Sequence, residues 1–128
     1  MGKFWFGTGC LMAGLGVSAG AFGTHALKQH FSADLLVIFE TGVRYQMYHA
    51  LGLIAVGLAM DRWPCRTLHW TARFWLIGIV LFSGTLYMIC LTNIQALGTV
   101  APFGGACFLV GWILLLWEFL VRPKVMSL

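Results

Sequence analysis

Four stretches of the chain, residues 4–21, 41–60, 74–91 and 103–121, are mainly apolar. Each is close to the ~20 residues an α-helix needs to cross a bilayer core about 30 Å thick. Together they leave only short loops and no room for a soluble domain. Charge points the same way. The 8 Lys+Arg and 4 Asp+Glu make up 9% of the 128 residues, where a soluble domain carries roughly 25%. So few charges fail to cover a water-soluble globule, which excludes soluble globular, disordered and coiled-coil folds. The expected fold class is all-α, an integral membrane four-helix bundle with residues 1–128 as a single transmembrane domain.

The distribution of Lys and Arg orients the bundle. With four spans, the amino terminus, the second loop and the carboxyl tail share one side, which holds Lys3, Arg62, Arg66, Arg73, Arg122 and Lys124. The other side holds Lys28, with Arg44 just inside the second span, and residues 92–101 carry no charge. Basic residues concentrate in cytoplasmic loops, so both termini are expected in the cytoplasm. Trp5, Trp63, Trp70, Trp75 and Trp117 gather toward the same side, as interfacial anchors do. Glu118 and Arg122, four residues apart, read as a weak anchoring pair. A +4 net charge scattered in this way marks topology rather than a nucleic-acid partner.

A polar or interfacial segment is expected between the first two helices. Ser32 and Asp34 suit the N-cap and first turn of a helix, where a carboxylate favours the positive end of the dipole. No proline interrupts residues 33–60, so this helix would be roughly 42 Å long. Its first two turns therefore project outward or lie along the interface. Asn93 and Gly98 punctuate the turn after the third span, and Pro102 suits the first position of the fourth helix. Lys3, the apolar run and Ala19-Gly20-Ala21 imitate a cleaved secretory signal. However, Gly16 and Gly20 form a G-x-x-x-G that suits helix packing, as Gly104, Gly105 and Gly111 do in the fourth span.

The unusual constellation is Phe39-Glu40-Thr41-Gly42-Val43-Arg44-Tyr45-Gln46-Met47-Tyr48-His49-Ala50. On a helix, Glu40, Arg44 and Tyr48 make one row, and Tyr45 and His49 the row beside it. With hydrocarbon starting near Thr41, His49 lies about 12 Å deep. An unpaired Arg at mid-depth costs from about 2.5 kcal/mol upward, so such residues pair or face a protein interior. A Glu40–Arg44 pair extended by the Tyr48 hydroxyl is expected. Ser83 and Tyr87 lie at comparable depth on the third helix, and Thr24, His25 and His30 are in or beside the first loop. The cluster reads either as a structural clamp at the outer end of the bundle or as a polar pocket that binds a ligand or handles protons.

Other chemistries find no support. His49 lacks a second imidazole at membrane depth for a bis-His haem, and no set of three or four convergent ligands suggests a metal. Cys10, Cys65, Cys90 and Cys107 form no C-x-x-C pair and read as small hydrophobes. No G-x-S-x-G, Walker or G-x-G-x-x-G arrangement recommends hydrolase or nucleotide chemistry. No cofactor, metal or catalytic residue is expected.

Gly20-Ala21-Phe22-Gly23-Thr24-His25-Ala26-Leu27-Lys28 and the block from Phe39 to Leu51 resemble the signature of a small membrane-protein family of unknown function. It is the domain of unknown function 423, which contains bacterial YgdD and YwdK and eukaryotic transmembrane protein 256. Residues 81–87, residues 99–105 and Gly111-Trp112 match as well, so the resemblance covers nearly the whole chain. Where the family pattern reads Gly-Ala-His, this chain has Gly23-Thr24-His25. The resemblance implies a four-helix inner-membrane protein and no assigned activity. It makes His25, Glu40, Arg44, Tyr45, Gln46, Tyr48, His49, Ser83 and Tyr87 the candidate functional residues. The expected role is a non-enzymatic component of a membrane assembly, a homo-oligomer or an accessory subunit joined through the small-residue faces of helices one and four. The alternative is a small transporter or a binder of lipid, quinone or another small molecule in the outer-half pocket.

Overall fold

A computed structural model describes residues 1–121 and shows them as helices and short turns, with no strand among the described residues. Helix α1 spans Gly2–His25 and a short 3₁₀ turn follows at Leu27–Gln29. Helix α2 spans Ala33–Arg62. Helix α3 is a rod over Arg66–Thr92 that contains a π-helical turn at Ile79–Ser83. After a 3₁₀ turn at Gln95–Thr99, helix α4 spans Ala101–Val121. Arg122 and Lys124, and with them the expected Glu118–Arg122 pair, lie outside the described residues.

The helix ends follow local chemistry. Ser32 is the N-cap of α2 and its Oγ accepts the Leu35 N–H at 3.3 Å, satisfying one of the free donors of the first turn. Asp34 lies in that turn. Asn93 closes α3 in the left-handed region at φ 57°, a conformation that asparagine tolerates better than most residues. Gly98 has no positive φ and sits inside a 3₁₀ turn. Pro102 occupies the second residue of α4, one place later than expected.

Helix α3 begins at Arg66 rather than near residue 74. The reason is an amphipathic start. Leu68, Thr71, Ala72 and Trp75 are buried at helical spacing, while Arg66 and Arg73 stay exposed on the other face. A second difference concerns α2. Three helical segments, Gly2–Gln29, Arg66–Thr92 and Gln95–Val121, are long and apolar enough to cross a membrane. Helix α2, at 30 residues, has the length, but Glu40, Arg44, Gln46 and His49 lower its hydropathy. Its polar groups Gln46 and His49 are buried in the protein.

α1 packs along α2, α3 packs on both α2 and α4, and α2 reaches α4 through a single aromatic cluster. The larger core joins Trp5 of α1, Leu53, Val56 and Met60 of α2, Leu68, Ala72, Trp75 and Ile79 of α3, and Phe108 of α4. A smaller core at the other end gathers Leu27, Phe39 and Cys90. Close helix approach rests on a few glycines. A side chain at Gly57 would stand 2.6 Å from the backbone nitrogen of Phe6, and one at Gly104 would stand 2.8 Å from the Phe82 Cα. Gly16 faces Met47 and Gly111 faces the Trp75 indole equally tightly, whereas Gly20 has only ordinary contact with Val43. Gly105 has nothing within 4 Å and takes no part in packing inside the bundle.

Candidate functional site

The buried part of the constellation on α2 is a set of bonds between helices. The Tyr87 hydroxyl of α3 donates to Gln46 Oε1 at 2.8 Å, and Gln46 Nε2 donates to the Met12 carbonyl of α1 at 2.8 Å. One amide thus ties three helices together. Four residues earlier on α2, the Gly42 carbonyl accepts the Ser83 hydroxyl at 2.6 Å, and Ser83 is fully buried. The absence of a side chain at Gly42 allows this, since a Cβ there would meet the Tyr87 ring at 2.9 Å. Cys90 adds a longer contact to the Leu35 carbonyl at 3.3 Å. In surroundings without water, each such group would otherwise be stranded at a cost of several kcal/mol.

One turn further along α2, His49 joins α4. Its ring stacks on Phe108 with centroids 3.6 Å apart and planes 8° from parallel. Trp112 Nε1 donates to His49 Nε2 at 3.1 Å, and His49 Nδ1 lies 2.7 Å from the Tyr45 carbonyl. A nitrogen that accepts from an indole carries no proton, so the hydrogen-bond network assigns the proton to Nδ1 and its bond to Tyr45. Both ring nitrogens are therefore engaged. Trp75 approaches edge-on at 5.8 Å. Trp75 Nε1 and the Thr71 hydroxyl are buried without a hydrogen-bond partner among the described residues.

The expected Glu40–Arg44 pair is not formed. Both side chains are exposed, and no ion pair or hydrogen bond joins them to each other or to the Tyr48 hydroxyl. The Glu40, Arg44 and Tyr48 row points outward, whereas in the row beside it Tyr45 is exposed and His49 is buried. Glu40 and Arg44 edge a groove of about 380 Å³ between α1 and α2, with Gly20, Gly23, Thr24 and Phe39. Tyr48 is 55% exposed. Tyr45 is also exposed, but its ring touches Phe82 at 4.8 Å and its carbonyl holds His49. His25 is exposed at the end of α1, away from the buried bonds. The structure therefore splits the expected single pocket into a buried network, Gln46, His49, Ser83 and Tyr87, and an outer groove edged by Glu40 and Arg44.

Sequence reasoning missed the partners on other helices: Met12, Phe108 and Trp112. Trp112 carried a usable signal. It lies mid-helix in an apolar span, where an indole N–H calls for an acceptor at the same depth. Its ring sits 4.6 Å from that of Trp75, which, like Trp5, is buried in the core rather than an interfacial anchor. Among the described residues, no three His, Cys, Asp or Glu side chains converge as metal ligands.

Four packed helices, three with the length and apolarity of a bilayer crossing, and a polar interior bonded from helix to helix define a multi-helix membrane protein. The chain belongs to a family described as "Protein of unknown function (DUF423)", whose pattern matches residues 19–105. Similar proteins include the UPF0382 membrane protein YwdK of Bacillus subtilis, 43% identical over 109 residues, covering 84% of this chain and 88% of the relative. A UPF0382 membrane protein of Staphylococcus saprophyticus is 42% identical over 107 residues, 84% of this chain and 88% of its own length. The UPF0382 inner membrane protein YgdD of Escherichia coli is 38% identical over 100 residues, 78% of this chain and 76% of that protein. No solved structure matches.

Proposed function

We propose that this chain is a non-enzymatic component of an inner-membrane assembly, an oligomer or accessory subunit whose polar interior is a clamp. The observation that carries this reading is that Gln46, His49, Ser83 and Tyr87 are hydrogen-bonded to one another or to carbonyls and an indole of the bundle. A general base or nucleophile needs a free atom within reach of substrate, and these groups are occupied. The outer surface supplies the complementary support. Gly7 and Gly14 on α1 and Gly105 on α4 have nothing within 4 Å, leaving small-residue faces open for close approach by another helix. Native mass spectrometry in detergent tests the proposal. Oligomers or a reproducibly co-purifying subunit are expected, and a strictly monomeric species without partners counts against it.

In this reading α2 is the fourth crossing, and the chain runs with both termini in the cytoplasm, its 27–29 turn facing the other side. Lys3, Arg62, Arg66 and Arg73 then share the cytoplasmic end. Cys65, between α2 and α3, reports on this arrangement. Burial pushes its thiol above the usual range, and the neighbouring Glu118 carboxylate acts in the same direction. A raised thiol is protonated at neutral pH, so its alkylation should be slow there and accelerate at alkaline pH as thiolate forms. An impermeant maleimide at alkaline pH should label Cys65 in inverted vesicles and spare it in right-side-out ones; the reverse pattern overturns the orientation.

The groove beside Glu40 and Arg44 favours a second reading, a small-molecule or lipid binder, because these opposite charges share one groove without an ion pair between them. Arg44→Ala separates the two. A folded, assembled protein that loses a bound small molecule supports the groove, and one that keeps its assembly with nothing lost supports the clamp.

A further inference from the structure

At the end of the bundle where α1 begins, a cleft of about 280 Å³ opens between α1 and α3, lined by Met1, Phe4, Trp5, His69 and Arg73. It is independent of the α2 network and of the groove beside Arg44. Trp5, buried in the larger core, donates its indole N–H to His69 Nδ1 at 3.3 Å. A ring that accepts at Nδ1 keeps its proton on Nε2, so Trp5 sets His69 as a donor at the cleft. One helical turn along α3, the exposed Arg73 guanidinium lies 4.9 Å over the Trp70 ring, held at the level of the aromatic side chains. The lining therefore offers a guanidinium and an imidazole N–H over an apolar floor of Phe4 and Trp5. No carboxylate lines it; Asp61 lies against Gly2 instead. The volume falls just below the ~300–1,000 Å³ of drug-sized sites, which suits a small anionic group.

We infer that this cleft binds a phosphate-bearing anion through Arg73 and His69, in the membrane the headgroup of an anionic phospholipid. Guanidinium and phosphate match in charge and geometry. The apolar floor accepts the first carbons of a glycerol backbone. Lys3 and Arg66, in the first turns of α1 and α3, add to the positive field at this end.

The test uses the full chain, delipidated in detergent, with phosphatidylglycerol, phosphatidylcholine and inorganic phosphate as separate probes. Retention is read by native mass spectrometry and stabilisation by thermal unfolding. Phosphatidylglycerol should be retained and raise the Tm, while phosphatidylcholine should do neither. Arg73→Gln should weaken phosphatidylglycerol retention about tenfold, the loss of one charge-assisted hydrogen bond. Lys28→Gln, at the opposite end, should leave it unchanged. An Arg73-dependent Tm rise with inorganic phosphate alone identifies free phosphate as a source; a rise confined to phosphatidylglycerol identifies the lipid. Equal retention by wild type and a folded Arg73→Gln variant, or an equal response to phosphatidylcholine, overturns the inference. Trp5→Phe provides a second variant, keeping an aromatic ring while releasing His69 Nδ1 from its donor. It should lower retention severalfold with an unchanged circular dichroism spectrum, and unchanged retention overturns the inference as well.

Discussion

The α2–α3 interface has two halves held by different physics. Toward the Arg62 end, Leu53, Val56 and Met60 pack against Leu68, Ala72 and Trp75 with almost no polar contact. Toward the other end, Gly42 and Gln46 meet Ser83 and Tyr87 through hydrogen bonds, with Phe39 and Cys90 as the apolar filling. In lipid, apolar helix surfaces gain little by leaving the hydrocarbon, so the first half depends on close fit and dispersion. The second half is directional. An amide and a hydroxyl that must find each other specify register in a way that interchangeable methyl groups do not.

Breaking the fitted half should give the largest effect. Leu53 is completely buried, and Leu53→Ala should destabilise the bundle by about 2–5 kcal/mol, read as a shift in the denaturant midpoint in micelles. Gly57→Ala should follow at about 1–3 kcal/mol, because its Cβ would strike the α1 backbone at Phe6. Gly105→Ala, with open space around it, should leave monomer stability unchanged within about 0.5 kcal/mol.

The directional half is sharpened by a double-mutant cycle. Gln46→Leu strands the Tyr87 hydroxyl, while the Met12 carbonyl keeps its own helical bond within α1, and should cost about 1–3 kcal/mol. Adding Tyr87→Phe removes the stranded group and should recover part of that loss, with a coupling of about 0.6 to 1.7 kcal/mol as for other hydrogen bonds between membrane helices. Strict additivity would show that the bond contributes nothing. Arg44→Ala should change stability as little as Gly105→Ala, within about 0.5 kcal/mol, since Arg44 is exposed and unpaired with Glu40.

That last prediction marks where sequence reading stopped. Helix positions followed from apolar runs, and the start of α2 from Ser32 and Asp34, because these signals are local. His49, Ser83 and Tyr87 were recognisable because polar groups at membrane depth are costly and therefore purposeful, and Gln46 through the family resemblance. Their pairing was not recognisable. A helix wheel places Glu40 beside Arg44 but says nothing of which face another helix covers, and here α3 and α4 cover the Gln46 and His49 faces instead. Tertiary partners such as the Met12 carbonyl are invisible in a one-dimensional pattern, because any residue supplies a carbonyl.

The π-helical turn at Ile79–Ser83 gives α3 two azimuths instead of one. Such a turn amounts to one residue inserted into a regular helix, which rotates everything beyond it by about 100° relative to an uninterrupted rod. Below it, Ala72 and Trp75 belong to the dry core; Ser83, its last residue, and Tyr87 beyond it reach α2. Excising a single residue from this turn would swing the far segment of the rod away from its partner while leaving the near segment seated, so one peptide unit decides whether the two kinds of interface coexist on the same helix.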